Sequence, residues 1–474
     1  MALAALAASI ARQSGLPDHH QSLPPLLAHA DRTAREAGPG KARTGPADEE
    51  GFPELADPGA LAALRALTAV LAGASSYVRT EPSRPVRAAA GHSGTPPVTR
   101  LLTDASLAYH TDRSELAAEL HRQAASPRGA RGSRGPQVWE LPAQVDTLIA
   151  LGRWMEAESL LTDGRSVAAV HRLPRLDMDL EALAVTLRAL RGDPVPAAFT
   201  YDPQPPLAPS ASRVPFTGPH WRSVSLDENR ATRARMLRAC GLSALSLGDS
   251  DGAHRHLRAL YGEDGAPLDA FVAPRAIAEL AESARRTGNQ TEAARILAEV
   301  RTAQGDRPTL RMTLLMHHAA ALVDEGGDPE HHFRLALVSA AGETWPLERA
   351  RTRLHYAVWL RRRRRPLKAR AQLSAVLEAA LRFGAPALAE TARGELRAAG
   401  AAETCGAVGP AHRLDELTAQ QRQIAGLAAD GLTNREIGER LFLSPRTVGS
   451  HLYQVYPKLG ISSRRQLRDV LRNA

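Results

Sequence analysis

A glycine, a small residue five positions later and a leucine four beyond that recur along the middle of the chain. The pattern stands at Gly152, Ala157 and Leu161, again at Gly248, Ala253 and Leu257, and again at Gly288, Ala293 and Leu297. Weaker copies begin at Gly192 (followed by Ala197) and Gly327, and in "RRPLKARAQL" Arg364 stands where the glycine would be. The starting positions 152, 192, 248, 288, 327 and 364 lie 37 to 40 residues apart, except for one step of 56 that contains a Pro-rich insertion. Glycine tolerates the backbone conformation that turns one helix into the next, and a small residue in the second helix lets the pair approach closely. A single helix pair cannot bury its own apolar face, so units at this period need neighbours. Alternating apolar and polar residues of strand type are almost absent, and the expected fold class is all-α.

The pattern resembles a degenerate tetratricopeptide-like array whose consensus aromatic and proline positions are poorly kept. Residues 1–100 read as a partly disordered, partly helical N-terminal region, in which "GALAALRALTAVLAGA" is separated from other helical patches by stretches such as "AGPGKARTGPADEEG". Residues 101–400 read as the helical repeat region, interrupted by "SPRGARGSRGP" and "YDPQPPLAPSASRVPFTGP". The run "AAETCGAVGPAHR" at 401–413 reads as a linker, and a compact domain follows over 414–474.

Several functions are disfavoured by residues that are missing from the required places. Two cysteines, Cys240 and Cys405, imply neither a disulfide framework nor a Cys-based zinc site, and fit a reducing compartment. No window approaches ~18 uninterrupted apolar residues, and "MALAALAASIA" lacks the preceding positive charge of a signal peptide, so no membrane partner and a cytoplasmic location are expected. "GPGKART" has Arg35 where a phosphate loop needs its first glycine and Ala42 after Lys41, and "GHSGTP" has Thr95 in place of a nucleophile elbow's second glycine. The pairs His19/His20, His317/His318 and His331/His332 lack a convergent ligand set. No catalytic, cofactor or metal site is expected, and the chain does not read as an enzyme.

The formal charge of +9 favours a polyanionic partner, but only three of the 60 basic residues are lysine (Lys41, Lys368 and Lys458). Such arginine bias marks a GC-rich, bacterial coding genome, so an arginine cluster such as "WLRRRRRPLKAR" must be argued from its position. It coincides with a repeat turn, where a solvated corner is the plainer reading.

The last 60 residues are more specific. "LTAQQRQIAGLAADG" offers Thr418 and Gln421 as a capping box, an apolar face of Ile424, Leu427 and Ala428, and Gly431 as a stop. "TNREIGERLF" repeats the box with Thr433 and Glu436 and turns Ile437 and Leu441 inward. "FLS" then leads tightly into a helix over 445–459, with Ser444 as N-cap and Pro445 at the first helical position. At 100° per residue Val448, Leu452, Val455 and Leu459 form its buried stripe, opposite Arg446, Gly449, Ser450, Tyr453 and Pro457. Gly449 and Pro457 cost such a helix about 1 and about 3 kcal/mol. From 440 onward seven basic residues accompany a single acid, Asp469. Short side chains at closest approach, flanking cations and an apolar anchor are what a helix lying in the DNA major groove requires.

The run from "LTAQQRQIAGLAADG" through "GLTNREIGERLFLSPRTV", "HL" and "KLG" resembles the LuxR-type helix-turn-helix domain over about 60 of the 474 residues. Gln421 or Gln423 stands where the family usually has an acid in its first helix. The helical region resembles, more loosely, the C-terminal part of large ATP-binding, maltose-regulator-like LuxR proteins, without their ATPase module. By position, the resemblance implies that Arg446, Gly449, Ser450 and Tyr453 face bases and that Thr447, His451 and Lys458 lie near phosphates. It implies that a fourth helix helps two copies pair through Leu467, Val470 and Leu471. The resulting expectation is a bacterial transcriptional regulator that binds double-stranded operator DNA as a homodimer and is nucleoid-associated when bound. RNA polymerase is a partner the resemblance admits, and the helical repeats would sense or dock a small-molecule or protein effector. The alternative is a helical-repeat scaffold in which DNA binding is secondary.

Overall fold

The computed structural model describes residues 98–125, 135–193, 228–324, 326–338, 344–400 and 419–441, then 443–445, 447–449, 451, 452, 455 and 467, with isolated positions 25 and 28. Among the described residues regular structure is helical, apart from one isolated antiparallel bridge between Tyr261 and Pro267. The chain divides into two units, Met1–Arg393 and Gly394–Ala474. The expected linker 401–413 and nearly all of the N-terminal region 1–100 lie outside the described residues.

The described helices of the first unit are α1 (Val98–His110), α2 (Ser114–Ala124), α3 (Gly135–Ala150), α4 (Trp154–Val170), α5 (Pro174–Arg191), α6 (Arg230–Ser246), α7 (Ser250–Arg258) and α8 (Val272–Arg275). They continue as α9 (Ile277–Thr287), α10 (Gln290–Gln304), α11 (Leu310–Val323), α12 (Pro329–Val338), α13 (Pro346–Arg362), α14 (Pro366–Phe383) and α15 (Pro386–Ala398). The turn residues Gly152, Gly192, Gly248, Gly288 and Arg364 all have left-handed backbone, with φ between +57° and +84°. The small residues after them are sealed into the packing: Ala157, Ala253 and Ala369 are 0% exposed and Ala293 2%. The same register operates at two turns the repeat did not include, Asp112 with Ala117 and Gly384 with Ala389. Gly327 differs from expectation, since its backbone is not left-handed. Two aspartates organise that turn instead: Asp324 accepts from the N–H of Gly326 at 3.3 Å, and Asp328 from those of Glu330 and His331 at 3.0 and 3.2 Å. Ala197 lies outside the described residues.

The row of helix pairs returns on itself. One hydrophobic core joins Leu148, Trp154, Leu161, Leu180 and Leu187 from α3–α5 to Leu347, Val376, Phe383 and Ala389 from α13–α15. The rings of Trp154 and Phe383 lie 5.0 Å apart, and the Trp154 indole donates to the Ile149 carbonyl at 3.1 Å. Burying each such large side chain contributes about 1.5–3 kcal/mol.

Within this closed row the inward faces carry an ionic network. Asp112 accepts from Arg275 and, at 2.5 Å, from the Thr309 hydroxyl, and stands 3.6 Å from Arg311. Arg311 also reaches Glu348 at 2.5 Å; Arg235 pairs with Asp179 at 2.7 Å, Arg238 with Glu279 at 2.8 Å and Arg351 with Glu282 at 2.5 Å. Burial alone would raise the Asp146 carboxyl, but the guanidinium groups of Arg275, Arg311 and Arg238 hold it below the usual range. Glu282 is likewise held well down, against its burial, by Arg351 and His355. Such pairs are costly to desolvate and costlier to break, so they fix which helices meet rather than adding much net stability.

Candidate nucleic-acid interface

The second unit contains α16 (Ala419–Ala429) and α17 (Asn434–Leu441), followed by a third helix whose described helical positions are 445, 447–449, 451, 452 and 455. Its core is small and dry: Ile424, Ala425, Ile437, Val448, Val455 and Leu467 are 0% exposed, with Ala428 and Leu452 at 3%. Leu427 and Leu441 pack against this core. The stripe expected on the third helix is therefore present at Val448, Leu452 and Val455, while Leu459 lies outside the described residues.

Local hydrogen bonds set where each helix begins. The Thr433 N–H and hydroxyl both donate to the Glu436 carboxylate at 2.7 and 2.8 Å, and the Glu436 N–H donates back to the Thr433 hydroxyl at 3.3 Å. This is a reciprocal capping box, and these hydrogen bonds hold the Glu436 carboxyl below its usual range. The Thr447 N–H donates to the Ser444 hydroxyl at 3.0 Å, and the two hydroxyls share a bond of 2.7 Å. Ser444 is thus the cap of the third helix, and Pro445 follows where no N–H is required. Thr418, the cap assigned to α16, lies outside the described residues, and Gln421 is buried at 5% exposure.

The turn between α17 and the third helix depends on a glycine that the sequence reading passed over. The Leu443 N–H donates to the Gly438 carbonyl at 2.9 Å, and a Cβ at Gly438 would lie 2.5 Å from the Leu443 carbonyl oxygen and 3.4 Å from the Pro445 nitrogen. The turn can lie against α17 only where no side chain intervenes. A glycine inside a helix, five residues ahead of a Leu-Ser-Pro helix start, was the available signal.

Gly449 has the opposite environment. It is helical, with no left-handed backbone, and among the described residues a Cβ there would meet only the Asn434 side-chain nitrogen at an ordinary 3.5 Å. None of the described residues calls for glycine at this position. Thr447, Gly449 and His451 are each half-buried, and the Nδ1 of His451 is buried without a hydrogen-bond partner. Arg446, Ser450, Tyr453, Pro457, Lys458, Val470 and Leu471 lie outside the described residues. Leu467, assigned to pairing, is 0% exposed in this unit's own core.

The histidine pairs form contacts of their own: His317 Nδ1 lies 3.0 Å from His332 Nδ1, and His318 Nε2 lies 2.8 Å from His355 Nδ1. Among the described residues no group of three or more His, Cys, Asp or Glu side chains could hold a metal ion, and no helix is long and apolar enough to cross a membrane.

Two helices joined by a tight, glycine-dependent turn, the second opened by a serine cap and a proline, form a helix-turn-helix domain. Residues 415–471 match the family described as bacterial regulatory proteins, luxR family, and the C-terminal unit carries a LuxR-family helix-turn-helix. An HTH-type transcriptional regulator of Mycobacterium bovis is 50% identical over 60 residues, which are 13% of this chain and 7% of that protein. The DNA-binding transcriptional activator DevR/DosR of Mycobacterium tuberculosis is 42% identical over 53 residues, 11% of this chain and 24% of that one. The transcriptional regulatory protein LiaR of Bacillus subtilis is 42% identical over 52 residues, 11% and 25% of the two chains. The likeness thus spans a minor part of each protein. No solved structure matches the chain.

Proposed function

We propose that this chain is a DNA-binding transcriptional regulator whose third C-terminal helix lies in the major groove of duplex DNA. The observation that carries the reading is Gly449. Glycine in a helix costs about 1 kcal/mol relative to alanine, and at this position neither backbone conformation nor packing against the described residues accounts for it. A requirement from outside the chain does: without a side chain, the backbone can approach the base edges. The names of the relatives support the same reading.

Arg446, Gly449, Ser450 and Tyr453 would face bases, while Thr447, His451 and Lys458 would lie near phosphates. Two copies would occupy half-sites about one helical turn apart. The first unit, a degenerate tetratricopeptide-like array, would be the sensor or docking module for an effector. The test is duplex binding by the full chain across a salt series. Lys458→Ala should lower the salt slope by about 0.9, and Ser450→Ala or Tyr453→Ala should shift sequence preference, at roughly 1–3 kcal/mol for each base interaction removed. A full chain with no salt-dependent affinity for any duplex would overturn the proposal.

A further inference from the structure

Some arginines on the surface of the helical unit have a carboxylate. Arg286 pairs with Glu282 at 2.6 Å, Arg365 with Glu330 at 2.6 Å, Arg334 with Glu330 at 2.7 Å, Arg258 with Glu292 at 2.5 Å and Arg191 with Glu158 at 3.0 Å. Arg113, Arg172, Arg188, Arg255, Arg301, Arg307 and Arg397 are exposed at scattered positions with no ion pair among the described residues, but along one edge such cations lie together. Among the described residues none of Arg285, Arg362, Arg363, Arg364 and Lys368 has an ion-pair partner, and all but the half-buried Arg285 are exposed. Arg351 on α13 reaches both Glu279 and Glu282 on α9, and Arg362 at the end of α13 is near enough to Arg285 at the end of α9 for their charges to interact. Burial, and then the charge of Arg362, hold the Arg285 guanidinium below its usual range.

The plain alternative is that these cations only neutralise helix C-termini. That suits Arg285 and Arg362 but not the other end of the cluster. Arg364 precedes α14 and Lys368 lies in its first turn, which has no acid, so the helix dipole there opposes them. Arg364 also holds a left-handed backbone, φ +57°, at a register position where Gly152, Gly248 and Gly288 take it freely. A side chain disfavours that conformation. Arg172 shares both the conformation and the absence of an ion pair, so strain alone decides nothing; Arg364 differs in standing beside Arg362, Arg363 and Lys368. Arg363 is held against the Trp359 ring, its guanidinium carbon 5.4 Å from the centroid, and is presented outward.

We propose that this edge, Arg285, Arg362, Arg363, Arg364 and Lys368, grips the phosphate backbone of duplex DNA as a second, sequence-independent contact. The inference rests on the DNA-binding reading of the C-terminal unit. A duplex already held by that unit stands at high effective concentration for a weak second site, which favours DNA over other polyanions. Five cations without carboxylates suit phosphate oxygens and carry no means of reading bases.

The test uses the full chain and random-sequence duplexes of ~16 bp and ~60 bp, measured across a salt series. The variant Arg362→Ala, Arg363→Ala, Arg364→Gly should lose more affinity for the long duplex than for the short one. On the long one its slope of log affinity against log salt should fall by about 0.9 for each phosphate no longer neutralised. Arg364→Gly alone guards against misfolding: it relieves backbone strain, so its Tm should rise while long-duplex affinity drops. Equal slopes for wild type and variant on the long duplex overturn the proposal, including the case where the variant has instead lost binding to a polyglutamate peptide, which assigns the edge to an acidic protein. Absence of binding by wild type to either duplex is a different result, and it defeats the C-terminal reading itself.

Discussion

Replacing each of two helical glycines in the C-terminal unit by alanine should give stability changes of opposite sign. In both, alanine gains about 1 kcal/mol of helix propensity. At Gly449 none of the described residues opposes that gain, because the added Cβ meets the Asn434 side-chain nitrogen at 3.5 Å. Gly449→Ala should therefore stabilise the unit by up to about 1 kcal/mol. At Gly438 the Cβ would stand 2.5 Å from the Leu443 carbonyl oxygen, so backbone must move. Overpacking of this kind costs about 1–3 kcal/mol, and displacing the turn also stretches the bond from the Leu443 N–H to the Gly438 carbonyl, worth about 1 kcal/mol. After the propensity gain, Gly438→Ala should be destabilising by about 1–3 kcal/mol. Amide hydrogen exchange on peptides covering 419–452 of the full chain reads both changes locally, without requiring the two units to unfold together. Duplex affinity separates stability from function: Gly449→Ala should bind more weakly than wild type although more stable, and Gly449→Leu more weakly still. A Gly449→Ala protein less stable than wild type, or a neutral Gly438→Ala, would refute the assignment of one glycine to the outside and the other to the turn.

Further outcomes follow from other sites. Ser444→Ala should cost the third helix about 1 kcal/mol, seen as faster exchange confined to its first turn, because the Thr447 N–H loses its acceptor. Asp112→Ala leaves Arg275 and Arg311, both 4% exposed, without a shared acceptor; urea unfolding should show a loss of about 3 kcal/mol, and a loss under about 1 kcal/mol would mean that the network is dispensable. Burial and then the Arg255 charge push His256 down to about 4, and burial and then His332 push His317 to about 4, from 6.5 in the unfolded chain. Both are neutral above about pH 6.5; as pH falls from there toward about 4 the unfolded chain takes up protons that the fold refuses. Stability should therefore be full near neutrality and decline through that window. A Tm unchanged between pH 7 and pH 5, or an equal decline in a His256→Gln, His317→Gln variant, would count against these two residues.

What the sequence disclosed, and what it hid, divides along the range of the interactions involved. Caps and stripes depend on residues three or four positions apart, so Thr433 with Glu436, Ser444 with Thr447, and Val448 with Leu452 and Val455 could be read directly. Turns at Gly152, Gly248 and Gly288 were legible because only the residue type needed to be recognised, and Arg364 because its register was kept. Asp112 and Gly384 followed the same register and were missed for lack of the full glycine-and-leucine signature, while Asp324 and Asp328 replaced the left-handed turn at Gly327 by accepting backbone N–H groups. Gly438 could not be assigned from its own helix, since the group that excludes a side chain there belongs to the turn that follows. The return of α13–α15 onto α3–α5 was out of reach for a stronger reason. It is specified by apolar faces that look alike in every repeat, and the buried ion pairs elsewhere in the unit are as remote in sequence, Asp112 and Arg275 being 163 residues apart. Arginine abundance deepens the difficulty. Arg285 and Arg286 are adjacent and identical in sequence, yet one closes a 2.6 Å pair with Glu282 and the other faces Arg362 with no acid between them. In a chain this rich in arginine, the distinction between a structural and a binding guanidinium is carried by which carboxylate is within reach, and that is decided only once the helices have packed.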